Sequence, residues 1–200
     1  MYALVEDGNI TKFFAHPKGF VLNDNQYPAD VFTKWSNEER EAIGIYEVIT
    51  DSTNKKDEQY YINTNEQFTF ADGQVTRSWG TATAKQLEDR NATDENGVEL
   101  NPVVVIKGLK SQKKDIIKQQ ASGLLEQTDW YNHKALDDDT YTIPDNIKTY
   151  RANVRAKSNE METQIDACTT VDELKALYEY TEQEDGSITR PLAEFPTLEI

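Results

Sequence analysis

Few side chains in this sequence have the types and spacing that catalysis requires. A thiol nucleophile would need Cys168, the single cysteine, beside a histidine such as His133, one of only two in the chain. Cys168 instead falls on the apolar stripe of a predicted helix, where a thiol packs as a small hydrophobic side chain. Zinc sites need several Cys or His ligands at defined spacing, and the sequence has no such set. We therefore expect no catalytic residues, no metal site and no cofactor.

Carboxylates offer a second kind of chemistry, because 36 Asp and Glu residues give the chain a net charge of -15. The densest cluster, Asp137-Asp138-Asp139, lacks the alternate carboxylates, the turn glycine and the closing Glu of a calcium loop. It is more typical of a solvated turn, which we place between two helices. A pair of carboxylates elsewhere would suit the acid and base of a small glycan hydrolase, but the sequence selects no pair.

Five lysines gather on one predicted helix: Lys107, Lys110, Lys113, Lys114 and Lys118. Nucleic-acid binding is one interpretation, but the acidity of the chain disfavours nucleic acid and anionic membrane surfaces as partners. We favour the polar side of an amphipathic helix, supported by pairing of Asp115 with Lys118. A further alternative is that the lysines bind an acidic partner or the acidic surface of another copy of the chain.

The N-terminal elements that surround these residues have the two-residue period of strands. Asp7-Gly8 and Asp72-Gly73 each separate two apolar runs, which predicts two β-hairpins. A capping box from Ser36 to Glu39 predicts a short helix near residues 37–43. Residues 1–106 are therefore predicted to form a small antiparallel β domain. Its last part holds a polar stretch, a linker or partly helical connection, and the run Val103-Val104-Val105-Ile106, a last strand or the lead into a helix.

After residue 106 the apolar period becomes helical. Apolar residues spaced by three, four and seven predict a helix from about 109 to 127. A second helix of about 25 residues starts near Pro144, with an apolar side chain at every seventh position. A capping box at residues 170–173 opens a short third helix. We predict an α+β protein in which a helical domain, 107–180, follows the β domain, and an extended tail with apolar anchors, 181–200, ends the chain.

Two short motifs lie in the predicted helical hairpin. The first helix closes with Leu124-Leu125-Glu126-Gln127-Thr128-Asp129-Trp130-Tyr131, and the second opens with Tyr150-Arg151 and has Arg155 four residues on. This order resembles the C-terminal module of phage tail-assembly and tail-fibre-assembly proteins. The opening Met1-Tyr2-Ala3-Leu4-Val5 with its Asp-Gly turn also looks like the start of many phage accessory proteins.

The resemblance implies a non-catalytic tail protein of a tailed bacteriophage. It would bind the tail fibre, either as an assembly chaperone in the host cytoplasm or as a fibre-associated subunit retained in the virion tail. The residues implied in partner binding are Trp130, Tyr131, Tyr150, Arg151 and Arg155. A structural baseplate or tail adaptor subunit is the alternative, and homo-oligomers are compatible with either role. No leader or membrane-spanning run is evident, so we expect synthesis in a reducing cytosol and no membrane partner.

The same motif residues have a purely structural interpretation. Trp130 is large enough to wedge between the two helices, with Tyr150 on the apolar face of the second. Arg151 and Arg155 lie one turn apart and would form a fork that grips a carboxylate or backbone carbonyls. Alternatively, the two aromatic residues lock the hairpin while the arginines pair with Asp129 or with the acidic turn.

Overall fold

The predicted order of N-terminal strands and C-terminal helices is confirmed, and with it the α+β class. The structure, a computed structural model, describes residues 1–198. Glu199 and Ile200, which end the predicted tail, lie outside the described residues. Contacts divide the chain into two units, Met1–Thr83 and Ala84–Ile200, so the division comes earlier than the predicted boundary at residue 106.

The first unit is built mainly from strands. Its elements are β1 (Tyr2–Glu6), β2 (Asn9–Phe14), β3 (Phe20–Leu22), β4 (Asn25–Tyr27), a 3₁₀ turn (Ala29–Phe32), α1 (Asn37–Glu41), β5 (Ile45–Thr50), β6 (Tyr61–Ile62), β7 (Gln67–Ala71) and β8 (Gln74–Ser78), with β9 (Thr83–Ala84) at the boundary. The predicted capping box is present at α1, where the Ser36 side chain accepts from the Glu39 backbone N–H. The predicted short helix is therefore confirmed.

Both predicted Asp-Gly hairpins are also confirmed. Asp7 and Gly8 join β1 to β2 with φ angles of 50° and 77°, and Asp72 and Gly73 join β7 to β8 with 51° and 74°. Two successive positive φ angles define the type I′ turn, whose twist matches that of the flanking strands. Glycine adopts this conformation readily, which explains its place at the second turn position.

Five of the strands form one sheet in the order β2-β1-β5-β8-β7. All neighbours are antiparallel except β5 and β8, which run parallel with Val48 opposite Val75. The prediction of a purely antiparallel region is corrected on this point. A parallel pair needs a long connection, and the chain between β5 and β7 supplies one. This connection lets the β7–β8 hairpin place β8 beside β5.

Apolar side chains pack on both faces of this sheet. One cluster contains buried Leu4, Phe14, Phe20, Val31, Phe32 and Ile45. The opposite face buries Ala3, Val5 and Val75. The two outer strands also approach each other, since the Phe13 and Phe68 ring centroids are 4.6 Å apart. The sheet is therefore strongly curled. Phe13 and Phe14, which are adjacent in β2, differ sharply in burial.

Replacing Phe14 by Ala should destabilise the protein by about 3–5 kcal/mol, because the ring is fully buried between Phe20 and Phe32. The matched control is Phe13→Ala at the next position, where the ring is 42% exposed. The measurement is urea unfolding followed by circular dichroism. Equal losses for the two variants would contradict this account of the sheet's core.

The second unit is mainly helical. Its elements are β10 (Arg90–Asn91), β11 (Val105–Ile106), α2 (Leu109–Glu126), α3 (Asp129–Asp137), α4 (Asp145–Ala167), α5 (Val171–Ala176), β12 (Thr181–Glu182) and β13 (Ile188–Thr189). The predicted bounds of α2 agree with the structure, and the capping box from Thr170 to Glu173 opens α5. The seven-residue apolar repeat of α4 is buried, as predicted, at Ile147, Val154, Met161 and Cys168.

The helix α3 is not predicted by the sequence, whose patterns place Trp130 and Tyr131 at the close of the first helix and Asp137-Asp138-Asp139 in a turn. None of its residues is buried, so it lacks the apolar stripe by which helices are found in a sequence. The acidic turn partly falls within it, because Asp137 is its last residue. Asp138 then accepts from the Thr140 backbone N–H and hydroxyl at 3.0 and 2.6 Å, which lowers the pKa of this carboxyl.

The N-terminus of α2 is capped by a residue distant in sequence. Gly108 precedes the helix and has no side chain to offer, and the first turn of α2 contains no acidic residue. Asp89 supplies the carboxylate instead: it accepts from the Gly108 N–H at 2.8 Å and from the Ser111 hydroxyl at 2.9 Å. These hydrogen bonds, the backbone one foremost, hold the pKa of Asp89 below its usual range.

Because the folded state lowers this pKa, the contribution of Asp89 to stability is present above the ordinary Asp pKa of about 4 and is lost as the pH falls. Wild-type protein should therefore be more stable than Asp89→Asn at pH 7, and the difference should shrink towards pH 3. Urea unfolding of both proteins across this range isolates Asp89 from the other carboxylates. A difference that stays constant with pH would refute the capping role of the charged form.

Candidate functional site

The antiparallel α2–α4 pair is closed at each end by a basic side chain that binds a C-terminal carbonyl of the other helix. Arg151, near the start of α4, donates to the Leu125 carbonyl at 2.7 Å. Lys110, at the start of α2, donates to the Asp166 carbonyl at 3.1 Å. Carbonyls in the last turn of a helix have no partner within it, and cations there oppose the negative end of the helix dipole. The two contacts therefore fix the alignment of the two helices.

Both cations are buried, and each forms an ion pair with a carboxylate. Arg151 is 9% exposed and lies 2.8 Å from the Asp129 carboxylate, while Lys110 lies 2.5 Å from Glu88. Arg151 also donates to the hydroxyl of Thr128 at 2.6 Å, and this hydroxyl donates to the Leu125 carbonyl. Thr128 is completely buried. Removal of one partner from such a network leaves an uncompensated buried charge or acceptor.

We call the contacts of Arg151 with Leu125, Thr128 and Asp129 the arginine junction. Arg155, the second predicted arginine, takes no part in it. Arg151 turns towards the end of α2, whereas Arg155 lies along its own helix and donates to the Arg151 carbonyl at 3.3 Å. The expectation of a two-arginine fork is therefore wrong. The expectation that an arginine pairs with Asp129 is confirmed for Arg151. The guanidinium of Arg151 is held inside the helical unit.

Trp130 does not wedge between the helices, and that expectation is also wrong. Its side chain is 51% exposed, and its ring centroid lies 3.7 Å from that of the half-buried Tyr131. The reason is that Thr128, two residues earlier, already fills the junction. On the same helix Leu136 is 80% exposed. Leu136 lies on a different side of α3, so we refer to Trp130 and Tyr131 alone as the α3 surface.

Tyr150 lies on the apolar face of α4, as predicted. It is buried with Ala121 of α2 and Val154, and the side chains packed against this cluster are Leu124, Leu125, Phe195 and Leu198. Of the five residues predicted to bind a partner, Tyr150 and Arg151 are thus interior. Trp130 and Arg155 are exposed, and Tyr131 is intermediate.

The lysine face of α2 is engaged with acidic residues of the chain itself. Lys118 lies 3.3 Å from Glu162 of α4, and Asp115 lies 2.6 Å from Lys107. The predicted pairing of Asp115 with Lys118 is therefore replaced by pairs with other partners. The interpretation as the polar side of an amphipathic helix fits this arrangement, because the lysines help to join α2 to α4.

The groups with catalytic potential are placed as follows. Cys168 is buried and donates to the Gln164 carbonyl at 3.4 Å, and burial raises the pKa of its thiol. A thiol with a raised pKa is a weaker nucleophile at neutral pH than a free one. Residues 1–198 contain no group of three or more His, Cys, Asp or Glu side chains that could hold a metal ion. The described helices include none long and apolar enough to cross a membrane.

A second apolar surface was not recognised in the sequence. Residues 90–106 form a β-arm, in which β10 pairs with β11 and Thr93 pairs with Glu99. The exposed apolar residues of this arm are Val98, Leu100, Val103, Val104, Val105 and Ile106. The sequence does contain a signal for this surface. Residues 103–106 are four consecutive apolar residues without the apolar–polar alternation of a half-buried strand, and the neighbouring polar stretch has too few apolar residues to cover them. Contiguous exposed apolar side chains of this kind mark interaction sites.

Comparison of the chain with protein-family models, with curated proteins and with solved structures found no match. The class of protein therefore rests on the fold and on the geometry above. These define an α+β protein in which a buried arginine junction holds α3, the helix that carries the exposed side chain of Trp130.

Arg151→Met should lower the free energy of unfolding by about 1–3 kcal/mol, because it leaves the buried Thr128 hydroxyl without its donor and removes the ion-pair partner of the half-exposed Asp129. Arg155→Met, one turn further on, is the matched control and should change it by at most about 0.5 kcal/mol. Denaturant unfolding of the two variants gives the comparison. A small effect of Arg151→Met would show that the junction does not hold the helices together.

Proposed function

We propose that this chain is a non-catalytic protein of a bacteriophage tail that binds the tail-fibre polypeptide. The observation that carries the proposal is the exposed Trp130 on α3, next to the buried contact between Arg151 and Asp129. This residue lies in the segment whose sequence resembles phage tail-fibre-assembly proteins. The resemblance and the exposure thus point to the same part of the chain.

The α3 surface has the physical properties of an anchor for a partner. Tryptophan and tyrosine dominate the energetics of many protein interfaces, because they bury a large area with few rotatable bonds. The salt bridge from Asp129 to Arg151 ties the first residue of α3 to α4. A surface that is held in position before binding loses less conformational entropy when the partner arrives.

The mechanism we infer is shielding or docking of a fibre segment through this aromatic surface. A fibre polypeptide exposes apolar segments before it assembles, and covering them in the host cytoplasm would suppress aggregation. The net charge of -15 would help to keep such a complex in solution. The same contact would serve a subunit that stays on the fibre in the virion.

Co-expression with the tail-fibre gene of the same phage tests this proposal. The chain should raise the yield of soluble, trimeric fibre, and Trp130→Ala should remove most of the gain while leaving the chain folded. Tyr180→Ala, which alters an aromatic residue that is 58% exposed in the same unit, is the matched control and should keep the gain. No increase in soluble fibre with the wild-type chain would refute binding to the fibre.

Mass spectrometry of purified virions then separates the two roles. An assembly chaperone should be absent from the particle, and a fibre-associated subunit should be present in fixed ratio to the fibre. Presence in the particle without any effect on the fibre would favour the baseplate or tail adaptor alternative. Turnover of host-surface polysaccharide by the purified chain would instead favour the alternative that the chain is a small glycan hydrolase.

A further inference from the structure

The β-arm, residues 90–106, has an open edge along its second strand. Asn91 lies opposite Val105, and the N–H of Ala92 donates to the Val104 carbonyl at 2.7 Å. Hydrogen-bonded and non-hydrogen-bonded positions alternate along an antiparallel pair, so the N–H and C=O of Val105 point away from β10. Among residues 1–198, neither group has a hydrogen-bond partner in the backbone.

The side chains along this edge are apolar and exposed on both faces of the arm. Val103, Val104, Val105 and Ile106 are each between 41% and 58% exposed. Successive side chains of an extended strand point to opposite faces, so these four leave apolar surface on either side. An isolated two-stranded hairpin is only marginally stable in water. A further strand along the open edge would therefore stabilise the arm.

The centre of this edge carries none of the residues that keep exposed edges apart. Proteins usually prevent edge-to-edge pairing with a charged side chain or a proline on the edge. Here Pro102 precedes the apolar run and Lys107 follows it, so such residues bound the run at its two ends. The edge is therefore a template for pairing with one short strand.

The same strand from a second copy fits this edge. In an antiparallel pair centred on Val105, the outward N–H and C=O of Val105 bond those of the second copy's Val105. Val104 of each copy then lies opposite Ile106 of the other. Cross-strand pairs of β-branched side chains stabilise sheets, and this alignment forms one such pair at each of three positions.

The charges of the arm also favour an antiparallel pair of copies. Its tip carries Asp94, Glu95 and Glu99, and its base carries Lys107, whose side chain is 56% exposed. Antiparallel pairing places the two acidic tips at opposite ends and directs each towards the Lys107 end of the other copy. The two Lys107 residues are four steps apart along the strands, or about 13 Å. This separation exceeds the Debye length of about 8 Å at physiological ionic strength.

We infer that the β-arm is a dimerisation element, in which residues 103–106 of two copies pair as antiparallel strands about a two-fold axis. The contact uses the same residues on both copies, so it closes with two chains and covers the open edge of β11. Strand pairing alone buries less than the roughly 800 Å² per partner of a standard interface, so we expect a dissociation constant in the micromolar range. The inference does not involve Trp130 and holds whether or not the chain binds a fibre.

Sedimentation-velocity ultracentrifugation of the full-length chain between about 1 and about 200 µM tests the inference, because wild type should pass from monomer to dimer over this range. Val105→Pro removes the N–H at the centre of the pair. Proline is accepted on an edge strand where the N–H faces solvent, so this variant should stay folded while its dissociation constant rises about tenfold or more. Val105→Ile keeps the N–H and a β-branched side chain, and as the matched control it should change the constant by at most about threefold.

Val105→Lys is a second variant that retains the N–H. It places two like charges directly opposite each other at the centre of the pair, so it should also weaken the dimer about tenfold or more. Val21→Lys, which alters a valine of the first unit that is 64% exposed, should leave the equilibrium unchanged. Circular dichroism and unfolding midpoints establish that each variant is folded.

Two results would overturn the inference. Wild type that remains monomeric throughout the concentration range would leave the β-arm as a surface for a different protein. A dimer that is equally stable in wild type, Val105→Pro and Val105→Lys would place the interface elsewhere on the chain.

Discussion

The helical unit depends on the exchange of C-terminal caps between α2 and α4. Arg151 lies near the start of α4 and binds a carbonyl at the end of α2, and Lys110 lies at the start of α2 and binds a carbonyl at the end of α4. Carbonyls at a helix end lack partners in the helix itself, and Asp129 and Glu88 supply the counter-charges that allow the two cations to be buried there. This geometry is satisfied only when the two helices are antiparallel and in one alignment. The position of α3, whose first residue Asp129 pairs with Arg151, follows from it.

The features predicted from the sequence are those with local causes. The Asp-Gly turns, both capping boxes and the seven-residue repeat of α4 each depend on residues close in the chain, and all are present. The features that were missed depend on distant partners. The parallel pairing of β5 with β8, the capping of α2 by Asp89 and the burial of Thr128 in place of Trp130 are decided by tertiary contacts. Short motifs identified the important residues but not which of them face solvent.

The candidate site illustrates the same division. The sequence indicated Tyr150, Arg151 and Trp130 together as partner-binding residues. In the structure Tyr150 and Arg151 are buried, and Trp130 is exposed. Tyr150 and Arg151 hold the helices, while Trp130 is presented to solvent on a helix with no buried residue of its own. The β-arm of residues 90–106 adds a second exposed apolar surface in the same unit. The exposed apolar side chains on α3 and on the β-arm support the proposal that this protein binds other proteins.

Hydrogen–deuterium exchange of the chain, alone and with the purified tail fibre that we propose as its partner, tests the central claim most directly. Backbone amides of a contacted helix exchange more slowly in the complex than in the free chain. We predict that binding slows exchange in α3, residues 129–137, and leaves the five-stranded sheet of the first unit unchanged. Unaltered exchange in α3 under conditions where the complex is formed would contradict the proposal that the α3 surface receives the fibre.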